Sequence, residues 1–242
     1  MIARTPEPRT VCSLTADLRA LGLRPGSTVC VHSSLAAIGW VAGGAQAVIL
    51  ALLAVLGPEG TLVMPAHSGD LSDPAGWSNP PVPESWWQTI REERPPFDPR
   101  TTPTHGLGRI AELFRTWPSA VRSDHPLASF AACGPHAARI TAGHRVEDEL
   151  GDTSPLGRIY ELDGDVLLLG VGHDRNTSLH LAEARAGIAT GDSDRFPEVA
   201  AGFTGELTGL VGSAPARLMR QRALVDHGVE WFGLKSPQIA DQ

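Results

Sequence analysis

The chain has 242 residues, 42% of them apolar, and a formal net charge of −7. That length suits one domain, 1–242, with a sizeable core. The acidic balance without a basic run argues against a nucleic-acid partner, and no apolar run reaches the roughly 18–20 residues that cross a bilayer, so no membrane partner is expected either.

The N-terminal MIARTPEPRT has no hydrophobic signal core, which points to a cytoplasmic location. Residues 10–22 read as an amphipathic helix, with Leu14, Leu18 and Leu21 on one face and Gly22 as its stop. Pro25-Gly26 turns the chain into a buried strand over 28–32. A polar, glycine-rich turn over 33–44 leads to a helix over 45–56, ended by Gly57-Pro58, and a second strand over 61–65. Strand, turn, helix, strand is the βαβ pattern of a parallel sheet, so the fold class is α/β.

Residues 66–104 are proline-rich and carry three of the six tryptophans. Linkers are not tryptophan-rich, so this reads as a structured excursion over an active site. A helix over 110–117 follows, then a polar turn leading into an apolar strand within 122–132 and a helix over 136–142. An acidic loop over 147–154 precedes a helix over 156–162. The tail over 196–232 is expected to hold a helix over 214–231, broken near Gly228. Cys12, Cys30 and Cys133 have no metal-like spacing and read as small core residues.

The stretch VLLLGVGHDRNTSLHLAE, 166–183, concentrates the chemistry. It opens as a strand buried on both faces, passes through the polar loop HDRN, and restarts at Thr177 and Ser178, both good helix N-caps. His180 and Glu183 follow at i and i+3 on one helical face. An imidazole steered by a carboxylate just past a buried strand is the usual layout of a general base; a surface ion pair is the plainer alternative. His32, Ser33 and Ser34 end the first strand ahead of Gly39, Gly43 and Gly44, which suits a phosphate at a helix N-terminus or simply a tight turn. Arg122-Ser123-Asp124-His125-Pro126 is either an anion clamp or a surface turn. The carboxylates of the excursion and of the 147–154 loop would suit a polycationic sugar, or merely a solvated surface. Nine histidines occur without HExxH or CxxC, and there is no GxSxG elbow, so neither a metal nor a serine nucleophile is expected.

Several long motifs in order, VHSSLAAIGWVAGGA, GTLVMPAHSGDLSDPAGW, PPVPESWW, FDPRTTPTHGLGRIAELFR, RSDHPLASFAACGP and DTSPLGRIYELDGDVLLLGVGHDRNTSLHLAE, resemble the aminoglycoside 3-N-acetyltransferase family over roughly 10–235. The resemblance implies a mixed central sheet flanked by helices, acetyl-CoA as donor, no metal, and an aminoglycoside antibiotic, or another polyamine-like molecule, as acceptor. It implies that His180 is the base and Glu183 orients it. Coenzyme A would be surrounded by His32, Ser33, Ser34, Leu35, Gly39, Val41, Gly43, Thr104, Arg122, Ser123, His125 and Ser129, with the SPLG segment close by. The drug would face Asp70, Trp77, Glu84, Asp98 and Asp152. An amine must be neutral to attack a thioester, and a histidine, ordinarily titrating at about 6.5, can take its proton. Compared with the family, 184–196 is short by a few tens of residues, and His105 stands where a basic arginine is frequent.

Overall fold

The computed structural model describes residues 5, 7–188 and 195–235. Of the shortened segment, residues 189–194 lie outside the described residues. Helix α1 (Val11–Leu21) begins where the Thr10 hydroxyl accepts from the Ser13 amide, while the Ser13 hydroxyl accepts from the Thr10 amide; left-handed Gly22 closes it. Strand β1 (Thr28–Ser33), a short helix α2 (Leu35–Ile38), α3 (Gly44–Leu56) and β2 (Thr61–Pro65) form the expected βαβ unit. The helix α2 inside the turn is a correction; four residues give no readable period.

Helix α4 (Glu84–Glu93) lies in the excursion, and α5 (Gly108–Arg115) leaves it. Strands β3 (Val121–Arg122) and β4 (Phe130–Cys133), helices α6 (Ala137–Thr141) and α7 (Pro155–Glu161), strand β5 (Asp165–Leu169) and helix α8 (Leu179–Arg185) follow. Helix α9 (Phe196–Ala200), the hairpin β6 (Glu206–Val211) and β7 (Ala214–Arg220), and α10 (Gln221–Lys235) complete the described chain.

The seven strands form one mixed sheet in the order β3-β4-β2-β1-β5-β7-β6. The central trio β2-β1-β5 is parallel, and an antiparallel pair flanks it on each side. Successive strand residues face opposite sides. Val29, Val31, Leu167 and Leu169 pack with Leu14, Leu18, Leu52 and Phe114 on one face. Cys30, Val166 and Leu168 pack with Ile140, Ile159, Leu179 and Phe232 on the other. Burial on both faces is why these strands read as continuous apolar runs.

The tail departs from expectation. Residues 214–220 are strand β7, and the helix begins at Gln221 and runs unbroken through Gly228. Gly228 is there because α10 closes on α8: a Cβ would stand 2.7 Å from that of Ala182. Ser178 does not cap α8 with its side chain; its amide is held by the Asn176 side chain at 3.3 Å. Cys30 and Cys133 are buried as expected, whereas Cys12 is exposed on the outer face of α1. No helix among the described residues is long and apolar enough to cross a membrane.

Arg122 braces the excursion. Its guanidinium donates to Ser129 Oγ, to the Thr102 and Ala66 carbonyls and to Ser68 Oγ, joining both ends of the excursion to the sheet. Burial, with Arg115 nearby, lowers its pKa to about 10, and it stays charged. Arg122→Met is expected to lower unfolding free energy by about 3 kcal/mol, because several buried acceptors lose a charged donor together. Urea titration would measure this, and Arg122→Lys should recover little of it, since an ammonium cannot span the same fork.

Candidate active site

The carboxyl ends of β1, β2 and β5 lie side by side, where ligands sit in parallel sheets. A cavity of about 670 Å³ opens there, and Ser33, Ser34, Leu35 and Pro65 line it from the first two strand ends. The loop after β5 turns at Gly170, left-handed at φ 72°; a Cβ there would stand 2.5 Å from that of Ala37. The chain then crosses the cavity rim through a short turn, His173–Arg175, and enters α8.

One turn of α8 delivers the central pair. His180 lines the cavity, and its Nδ1 lies 2.6 Å from Glu183 Oε2. Glu183 is fully buried, while 15% of the His180 side chain is exposed. With Nδ1–H donated to the carboxylate, Nε2 keeps its lone pair. Phe196 meets the imidazole edge-on at 4.9 Å between ring centroids. His32, also on the cavity wall, is held neutral: burial first, then the neighbouring His180 imidazole, lowers its pKa to about 4. Behind it, burial and four neighbouring imidazoles lower His67 to about 3.

The structure sorts the residues expected from sequence into groups. His32, Ser33, Ser34, Leu35 and His180 come together on the cavity. Gly39, Val41 and Gly43 do not; Val41 bridges Arg9, and Gly43 is the N-cap residue of α3. Thr104 lies behind α5, where its amide and hydroxyl both donate to Glu112 Oε2 at 2.8 Å.

Arg122, Ser123, His125 and Ser129 form a buried brace, neither a surface turn nor an open clamp. Ser123 Oγ bonds the His144 ring at 3.0 Å, Ser129 Oγ donates to the Ala66 carbonyl, and His125 Nδ1 accepts the Leu127 and Ala128 amides.

The residues expected to face the acceptor are dispersed. Asp70 pairs with His105, Asp98 with Arg100 and Asp152 with Arg185. Trp77 Nε1 donates to Ser72 Oγ, and Glu84 opens α4 on the surface. None of the five lines the cavity.

Arg109, Asp174 and Arg175 do line it, and sequence reasoning did not single them out. Asp174 and Arg175 belong to the HDRN loop, legible by the same strand-end rule that marked His32. Arg109 is one residue inside α5, whose first turn lacks a side-chain cap and also faces the cavity. The wall therefore offers an imidazole paired with a carboxylate, hydroxyls at a strand end, and two guanidiniums beside an open helix N-terminus.

Residues 30–195 match the family model described as aminoglycoside 3-N-acetyltransferase. The SPβ prophage-derived aminoglycoside N(3′)-acetyltransferase-like protein YokD of Bacillus subtilis is 45% identical, over 96% of this chain and 95% of its own. That alignment runs over 259 positions, more than the 242 residues here, so the relative carries residues this chain lacks. The YokD crystal structure superposes with a TM-score of 0.94 at 43% identity, covering 98% of both chains. Aminoglycoside N(3)-acetyltransferase IX of Micromonospora chalcea is 42% identical over 75% of this chain, and the match spans 64% of its length. The structure of AAC-IIIb in binary complex with CoASH matches at TM-score 0.82 and 32% identity, over 96% of this chain and 98% of that one.

Proposed function

The chain belongs to the aminoglycoside 3-N-acetyltransferase family, and we propose that it moves the acetyl group of acetyl-CoA directly onto an aminoglycoside amine, at the 3-position of the deoxystreptamine ring, and so confers resistance to the antibiotic. The observation that carries this reading is the His180–Glu183 pair on the wall of the strand-end cavity.

His180 Nε2 takes a proton from the acceptor amine as its nitrogen attacks the thioester carbonyl. The buried Glu183 carboxylate stabilises the imidazolium that forms. The carbonyl oxygen gains the negative charge, and Ser33 and Ser34, which line the cavity at the strand end, offer donors to it. The C–S bond then breaks, the electron pair leaves with the thiolate, and the imidazolium proton quenches it. His32, neutral and enclosed, does not compete for that proton. A covalent acetyl-cysteine route finds no support, because burial pushes the Cys30 thiol up to about 12. Arg109, Arg175 and the open start of α5 suit the phosphates of coenzyme A.

One observation favours a second reading, transfer to a different amine: the five residues expected to face the drug all lie off the cavity. A thiol-release assay with acetyl-CoA separates the two. Turnover with aminoglycosides, and acetylation located at the 3-amino group by mass spectrometry, is the expected result; turnover only with simpler amines would replace it with the second reading.

A further inference from the structure

A chain of side chains links the β6–β7 hairpin to the start of the helix that carries His180. Arg217 donates to one oxygen of Glu206 at 3.0 Å, and the other oxygen lies 2.9 Å from His173 Nε2. His173 Nδ1 lies 3.3 Å from Asn176 Nδ2, and Asn176 Oδ1 accepts the Ser178 amide at 3.3 Å. Asn176 and Ser178 are fully buried, and His173 nearly so.

One arrangement of protons satisfies the whole chain. A carboxylate only accepts, so Nε2 carries the His173 proton. Nδ1 then keeps its lone pair and accepts from the Asn176 side-chain amide. That turns Asn176 Oδ1 toward the Ser178 N–H. A carboxylate on the edge strand thus decides which way a buried amide faces three residues beyond the histidine it holds.

The consequence reaches the base. The first amides of a helix have no partner inside it, and the Ser178 side chain does not cap α8. Asn176 supplies the acceptors instead: Oδ1 for the Ser178 amide, and its own carbonyl for the Leu179 amide at 3.1 Å. His180 is the next residue, and its imidazole must meet Glu183 and the cavity together. Resting on the acetyl-transfer reading, we infer that Asn176 is a positioning residue for the base, and that the Glu206–His173 pair, by fixing which way its amide faces, keeps His180 Nε2 on the reacting amine.

The test is steady-state thiol release by the full chain with acetyl-CoA and an aminoglycoside. Asn176→Ala removes both contacts. Its kcat is expected to fall about 10- to 100-fold, the effect of a misplaced catalytic group, with both KM values within about threefold of wild type. Asn176→Asp keeps an acceptor for the Ser178 amide but turns a second acceptor on His173 Nδ1. That contact is repaired only when Nδ1 gains a proton and the imidazolium sits between two carboxylates. The other charged groups around His173 are Arg217, Asp174 and Arg175, while the chain at α9 presents Pro197, Ala200 and Ala201 to the same space; none of these changes. The kcat of Asn176→Asp, relative to wild type at the same pH, should lie within about threefold at pH 6 and fall about tenfold by pH 9. A new carboxylate acting only through its charge would do the reverse, because it would keep His180 protonated at low pH. A purely structural defect would give a ratio independent of pH.

A ratio that is flat or rises with pH overturns the inference, and decides the matter alone if Asn176→Ala does not fold. A folded Asn176→Ala enzyme with kcat within threefold of wild type also overturns it, as does a raised KM with kcat kept, which would place Asn176 in ligand binding. Each of these leaves acetyl transfer standing. A wild-type chain that releases no thiol with any amine removes the acetyl-transfer reading and this inference together.

Discussion

Replacing His180 by alanine is expected to lower kcat for acetyl transfer about a thousandfold, within the range a positioned base contributes. Alanine also removes the one partner of a buried carboxylate. Glu183 Oε1 has no hydrogen-bond partner among the described residues, and Oε2 has the imidazole. An uncompensated buried charge destabilises a fold by several kcal/mol, so lost activity in the alanine variant could reflect lost structure. His180→Gln keeps an N–H that can reach the carboxylate and cannot serve as a base; it should show the same fall in kcat at near-normal stability. Glu183→Gln separates orientation from charge. The amide oxygen can still accept from Nδ1–H, while the negative charge behind the imidazolium is gone. Its kcat should fall about 10- to 100-fold with KM little changed, because that charge acts mainly as the imidazolium forms. A His180→Gln enzyme that folds and keeps kcat within tenfold of wild type would remove the base from this position.

The parts of this molecule that were legible in sequence are those where one physical constraint dominates. Strands β1, β2 and β5 are buried on both faces, so apolar side chains were the only stable choice and the runs were continuous. His180 and Glu183 sit three residues apart on one helix, so their contact needed no tertiary information. The β6–β7 hairpin was not legible. Strand β6 is a sheet edge with Leu207 and Leu210 exposed, 55% and 64%, and β7 alternates arginines with apolar residues before running straight into α10. That mixture imitates a helical period.

The Arg122 segment shows a different limit. A cation, a hydroxyl and an imidazole in four residues look like a ligand clamp. What decides their role is that backbone carbonyls 20 and 56 residues away meet the guanidinium. The carboxylates expected to face the acceptor meet partners just as distant from the sequence pattern: Asp70 lies against the His105 ring, Asp98 against Arg100 and Asp152 against Arg185, while Asp174, in the loop before α8, lines the cavity.

Acidification is expected to unfold the protein well above the pH at which its carboxylates titrate. Burial lowers the pKa of His32 and His144 to about 4 and that of His67 to about 3. In the unfolded chain each returns to about 6.5. Between those limits the unfolded state binds more protons than the folded one, so stability is fully present above about pH 6.5 and falls as pH drops toward 4. Each histidine contributes a slope of up to about 1.4 kcal/mol per pH unit, and three together about 4. These three groups together remove about 6 kcal/mol by pH 5 and about 8 by pH 4.5, so a domain in the lower half of the ordinary range of about 5–15 kcal/mol reaches its acid midpoint between about pH 5 and 4.5. Asp165 opposes the trend, since burial raises its pKa and the folded state holds that proton more tightly, but it is one group against three. Thermal melts from pH 8 to 4 would show Tm flat at the alkaline end and falling steeply below pH 6; a Tm unchanged down to pH 4.5 would contradict the argument. His67→Leu sharpens the test. His67 Nε2 is buried without a hydrogen-bond partner among the described residues, so an apolar replacement leaves no acceptor stranded. The variant should be as stable as wild type at pH 7.5 and lose about a third of the acid slope, whereas a purely packing role for His67 would shift Tm equally at every pH.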